Sequence, residues 1–175
     1  MDTDKNKMGK KINYHRLKPP PSTPKNEFCK HTKIGPIKIM STSVFYNPLH
    51  CVNCNREIKP ERLNLNNDII DAIAFWNTTS KAIDALWLAS GEYEKWAGKE
   101  LTNPKSAVNK NGIALAKEVS RALSLTCYYN IFQYSSAENY TPYTSCPICH
   151  GSVKSLKSKI KQSLCKKCNI VFFAE

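Results

Sequence analysis

Apolar residues recur at steps of three and four through Ile69, Ile70, Ile73, Trp76, Ile83, Leu86 and Trp87, which places them on one stripe of a helix. Asn66 or Asn67 is its expected N-cap, Thr78-Thr79-Ser80 weakens its middle, and Ser90-Gly91 supplies a left-handed stop. A shorter helix is predicted from Glu92 to Leu101, with Tyr93, Trp96 and Ala97 on one side and Asn103-Pro104 ending it. Ser106 can cap a third helix running to about Leu123, whose buried face is Val108, Leu115, Ala116, Val119 and Leu123. Gly112, after Asn111, weakens the first turn of that helix.

Strand signals are shorter. Ile37, Ile39, Val44 and Phe45 stand among Ser and Thr between Ile34 and Tyr46, a pattern for one or two short strands, and Thr126 to Tyr134 reads as a strand beside them. Near the C-terminus, Leu156 and Ile160 alternate with Lys157, Lys159 and Lys161, giving a strand with one packing and one cationic face. Ile170 to Phe173 forms the last strand. The pattern predicts an α+β protein: a three-helix core, a few flanking short strands and a C-terminal four-cysteine zinc ribbon. Three regions follow: a flexible, basic, proline-containing arm over 1–33, a mainly helical core with an N-terminal strand and a cysteine knuckle over 34–135, and the ribbon over 144–175.

No apolar run reaches the roughly 18 to 20 residues that cross a bilayer. The charged first residues also lack the apolar stretch of a secretion signal, so a soluble protein of the reducing cytoplasm, without a membrane partner, is expected. The net charge of +12 is unevenly placed. Residues 1–40 hold ten Lys or Arg against three acids, 41–145 ten against ten, and 146–175 six against one. A neutral middle with basic ends suits an anionic partner.

The strongest chemical signal is Cys146-Pro147-Ile148-Cys149, followed after fifteen residues by Cys165-Lys166-Lys167-Cys168. Two such turns at the ends of a short hairpin offer four thiolates to one tetrahedral Zn2+, with no position left for substrate, so the ion is structural. The ribbon is too small for a self-sufficient core, and zinc binding, worth about 10–16 kcal/mol in comparable modules, must help hold it folded. A third pair, Cys51 and Cys54, can form a second site with Cys29 and Cys127, with His31 or His50 in place of either, or with ligands from a second chain; the alternative is a reduced, metal-free turn. A redox pair would open a helix, whereas the polar loop Asn55 to Arg62 follows here. His150 reads as an exposed knuckle residue beside four sufficient sulfurs.

Function then points to binding. Lys154, Lys157, Lys159, Lys161, Lys166 and Lys167 are the expected phosphate contacts to RNA or DNA, assisted by the basic arm. The alternative is a protein-interaction adaptor, such as an immunity-type partner of a toxin, recognising an acidic protein through aromatics including Trp87, Tyr93 and Trp96. No catalytic constellation is evident: there is no His-x-Glu, no His-Glu-x-x-His and no P-loop, and Glu92, Glu94 and Glu118 read as solvated helix carboxylates.

The chain resembles, from Phe45 to its end, a family of bacterial proteins of uncharacterised function described as zinc-ribbon-containing candidates for nucleic-acid binding. The resemblance is carried by Phe45-Tyr46-Asn47-Pro48-Leu49-His50-Cys51 with Cys54, by Leu86-Trp87-Leu88 and Ser90-Gly91-Glu92-Tyr93-Glu94 with Trp96, and by Ser106, Val108-Asn109 and Gly112. It continues through Cys127-Tyr128-Tyr129 to Cys146-Pro147-Ile148-Cys149, Cys165 and Cys168. It implies a helical middle between a cysteine pair and a ribbon, and names no substrate. His150 stands where such knuckles usually carry Gly, with Gly151 one position later.

Overall fold

The computed structural model describes residues 12–17, 23–41, 47–133, 143–156 and 162–173. Val44, Phe45, Lys157, Lys159, Ile160 and Lys161 lie outside these residues. The strands are β1 (Ile37–Ile39), β2 (Leu49–Cys51), β3 (Cys127–Asn130), β4 (Lys154–Leu156), β5 (Gln162–Cys165) and β6 (Ile170–Phe173). They form one mixed sheet in the order β2-β1-β3-β6-β5-β4. β1 runs parallel to β3, and β3 to β6, while the outer pairings are antiparallel. The strands of the C-terminal cysteine unit therefore continue the sheet of the preceding region through the β3–β6 pair.

Between β2 and β3 lie α1 (Asn67–Ala89), α2 (Glu94–Thr102) and α3 (Ala107–Leu123). The expected caps are present: Asn66 Oδ1 accepts from the Ile69 N–H and Ser106 Oγ from the Asn109 N–H. The three-helix core is corrected, however. The two long helices α1 and α3 cover one face of a six-stranded sheet, and the short α2 buries only Ala97 and Leu101. Strands of three or four residues are too short for periodicity to register, and parallel partners distant in sequence leave no local trace.

Alternation along the strands divides the sheet. Ile37, Ile39, Leu49, Cys127, Tyr129, Ile170 and Phe172 join Ile70, Ile73, Trp76, Leu115, Ala116 and Val119 in the main core. The opposite face carries a smaller cluster of Val52, Tyr128, Leu164 and Val171, together with the fully buried Lys38 and His50. In the second half of α1 the expected stripe fades: Ser80 and Asp84 are buried while Leu86 and Leu88 are exposed. Gly112 belongs to α3 after all, because Tyr129 lies against it.

Two stretches of the expected flexible arm pack on this body. Leu17 is fully buried, Arg16 pairs with Asp71, and the Asn13 N–H donates to Asn67 Oδ1. The Cys29 N–H donates to the Glu57 carbonyl at 2.8 Å, and Arg62 donates to the carbonyls of Cys29, His31 and Thr32. Proline and charge reduce apolar burial, but side chains elsewhere supply partners for this segment's carbonyls. Among the described residues no helix is long and apolar enough to cross a membrane.

Candidate metal centres

Strand register brings the cysteines to one end of the sheet. Ile37 pairs with Cys51 on one side and Cys127 on the other, and Cys165 pairs with Ile170, so β2 and β5 both end in a knuckle where the parallel strands begin. Two clusters result, Cys29–His31–Cys51–Cys54 and Cys146–Cys149–Cys165–Cys168. In each, four potential ligand atoms lie within 4.8 Å of one another, and each can hold a metal ion.

All four cysteines of the C-terminal cluster are those expected. Cys149 and Cys165 Sγ stand 3.7 Å apart. That is near the separation of about 3.8 Å for tetrahedral ligands with metal–sulfur bonds of about 2.3 Å, and far beyond a disulfide bond. The Ile148 and Cys149 amides each point at Cys146 Sγ from 3.5 Å and favour a thiolate there, but burial outweighs them and raises the Cys146 pKa. The Cys149 thiol is brought down to about 7 by the Gly151 backbone N–H and the neighbouring thiols of Cys146 and Cys168. Burial, followed by the crowding of the other thiols, pushes Cys168 up. Four neighbouring sulfurs cannot all ionise without a cation between them, whereas a coordinated thiol is deprotonated outright.

The N-terminal cluster draws on two distant segments. His31 Nδ1 lies 3.3 Å from Cys29 Sγ and 3.5 Å from Cys51 Sγ. Burial, with contributions from the Cys29 and Cys51 thiols, pushes the Cys54 thiol up to about 12. Of the expected ligands, Cys127 is not part of this group. It is fully buried in β3 between the two knuckles, its Sγ 3.8 Å from the Tyr128 carbonyl, and burial raises its pKa. His31 takes the fourth position instead. His50 does not substitute: it projects to the other face of the sheet, its ring nitrogens 3.3 Å and 2.9 Å from the carbonyls of Asn55 and Asn47, and burial lowers its pKa to about 4.

One backbone feature unites the knuckles. The residue after the second cysteine of each pair is left-handed: Asn55 at φ 59°, His150 at 54° and Asn169 at 55°. The chain then turns back, with His50 bridging antiparallel to Glu57 just as Cys165 pairs with Ile170. No helix opens at the Cys51–Cys54 pair, so it has the form of a metal knuckle and lacks that of a redox turn. Asn tolerates this conformation better than most residues, so Asn after each of two pairs was the sequence signal for a common turn. Cys29 and His31 carried no comparable signal.

Among the ribbon lysines, Lys154, Lys166 and Lys167 are exposed beside the C-terminal cluster, and Lys157, Lys159 and Lys161 fall outside the described residues. Lys154, Lys166 and Lys167 line a depression of ≈ 370 Å³ with Cys149, Gly151 and Leu164, and no carboxylate among the described residues lines it. The resemblance seen in the sequence has a partial counterpart in known families. A family model described as Domain of unknown function (DUF2310) matches residues 37–132, over half of the chain. The chain belongs to this DUF2310 family. The DUF2310 match contains Cys51, Cys54 and Cys127, while Cys29, His31 and the C-terminal cluster lie outside it. Neither the curated proteins nor the solved structures yield a match.

Proposed function

We propose that both clusters bind zinc, and that the protein is a zinc-braced, non-enzymatic module of the cytoplasm that binds nucleic acid through its lysine-rich ends. Thiolate-dominated, four-coordinate sets suit zinc over magnesium or calcium, which take oxygen ligands. Zinc in a closed set acts structurally: it ties Cys29 and His31 to the β2 knuckle and closes the β4–β6 hairpin. The eight free thiols accord with a reducing compartment.

The observation carrying the nucleic-acid reading is the exposure of Lys154, Lys166 and Lys167 around a depression beside the four-cysteine cluster that no carboxylate lines among the described residues. Lysine ammoniums placed this way meet phosphates as point charges, which gives sequence-tolerant binding. Lys157, Lys159 and Lys161 belong to the same proposed surface. The test is fluorescence anisotropy with labelled oligothymidylate and a duplex of mixed sequence. Binding weakens with salt, the logarithmic slope being about 0.7 per neutralised phosphate on single strands and about 0.9 on duplex. Replacing Lys154, Lys157, Lys159, Lys161 and Lys166 by Glu abolishes it; unchanged binding by that variant defeats the reading.

A further inference from the structure

A second cationic surface lies on the part of the chain whose charges sum to zero. Lys110, Ile113, Ala114 and Lys117 fall on one face of α3, at steps of three and four. Across from them stand Ile148 of the first C-terminal knuckle and Lys167 of the second. Between the two runs a groove of ≈ 420 Å³, which Lys105 also lines and into which no carboxylate among the described residues faces. Its floor is aliphatic. An aliphatic groove with a cationic rim is a candidate docking surface.

We infer that this groove docks an acidic peptide segment of a partner protein that carries aliphatic side chains on one face. The choice of occupant follows from the lining. A second copy of this chain would bring +12 of like charge against four lysines. A nucleic-acid strand offers phosphates to the lysines, but among the described residues the groove beside Lys105 to Lys117 contains no aromatic ring or guanidinium on which a base stacks. An amphipathic acidic helix satisfies both parts: Leu or Ile side chains cover Ile113, Ala114 and Ile148, and flanking carboxylates meet the lysines. Apolar burial supplies affinity, while the charges set orientation and exclude basic partners. This surface is separate from the phosphate-binding one, sharing only Lys167, and does not depend on it.

The test uses the full, zinc-loaded chain and a fluorescein-labelled helical peptide with Leu on one face flanked by Glu. Controls are the same peptide with Leu replaced by Ser, and oligothymidylate. The wild type binds the Leu–Glu peptide, the Ser control at least about tenfold more weakly, and K110E/K117E weakens the Leu–Glu peptide about tenfold or more. A114E does the same by obstruction. Lys110, Ala114 and Lys117 are exposed, so circular dichroism of these variants stays that of wild type. A peptide with Lys in place of Glu binds K110E/K117E better than wild type. Absence of peptide binding, or equal binding by K110E/K117E, overturns the inference. Loss of oligothymidylate binding in K110E/K117E, with peptide binding intact, also overturns it and assigns the groove to nucleic acid. Failure of the Lys154 to Lys166 variant to affect oligothymidylate defeats only the nucleic-acid reading.

Discussion

The ring of Tyr129 lies against the backbone of Gly112, so closely that a β-carbon there would stand 2.1 Å from Cε2. The ring has nowhere to go: Tyr129 is buried, its Oη donates to Asn109 Oδ1 at 2.6 Å, and its edge meets Trp76 at 5.6 Å between centroids. Gly112 thus sets the distance between α3 and the middle of the sheet.

Gly112→Ala tests this directly. Alanine favours the helix by about 1 kcal/mol, whereas forcing a methyl into a filled core costs about 1–3 kcal/mol or more. At this separation the steric cost wins, and urea denaturation shifts to a lower midpoint. A rise in the midpoint would mean that the ring has room to retreat.

Asn109 gathers the α2–α3 turn. Its Nδ2 donates to the carbonyls of Glu100, Leu101 and Asn103 at 3.1, 2.9 and 2.8 Å, while Oδ1 accepts from Tyr129. Replacement by Leu leaves the Leu101 carbonyl and the buried Tyr129 hydroxyl without this partner, each worth about 1–3 kcal/mol when unsatisfied. Asn109→Leu therefore loses more stability in urea than Tyr129→Phe, which removes one hydroxyl. Equal losses would contradict the network.

These contacts show how far the sequence could be read. Asn66 and Ser106 were legible as caps because capping needs a specific side chain at a specific step. The C-terminal ligand set was legible because both halves have local spacing. The sheet was legible only in part: β3 was read as a strand beside β1, but its continuation into β6 and the ribbon strands was not, since these strands are short and β3 and β6 lie far apart along the chain. Cys29 was named as a partner of Cys51 and Cys54, and His31 as a substitute, but the choice of His31 over Cys127 was not legible because tertiary contacts alone bring it to Cys51. Lys105, Lys110 and Lys117 vanished into a neutral regional sum, although α3 places them beside one groove.

The left-handed position after Cys54 separates two substitutions. Asn55 stands at φ 59°, and its Oδ1 is buried without a partner among the described residues. Asn55→Gly removes that unmet acceptor and suits the backbone, so thermal stability holds or rises. Asn55→Val costs about 1–2 kcal/mol from left-handed strain. Equal melting temperatures for the two variants would argue against the knuckle turn.

Lys38 gives a pH signature. Its Nζ donates to Gln162 Oε1 at 3.3 Å from a fully buried position, and burial lowers its pKa from 10.5 to about 8, against the opposing influence of Cys51 and Cys54. Between those values the unfolded chain holds the proton and the folded chain does not, so this group's contribution to stability rises with pH from about 8 to 10.5. Below that window burying the charged amine is a penalty on the order of 3 kcal/mol. Lys38→Met lacks the penalty, and its stability difference from wild type narrows as pH rises through the window. A difference that is constant with pH would refute the assignment.

Metal content of protein purified under reducing conditions tests the central claim most directly. The account predicts two zinc ions per chain by mass spectrometry of the native protein, one after replacement of Cys51 and Cys54 by Ser, and one after replacement of Cys165 and Cys168. A chain that carries no metal, yet keeps both cysteine clusters protected from amide exchange, would contradict it.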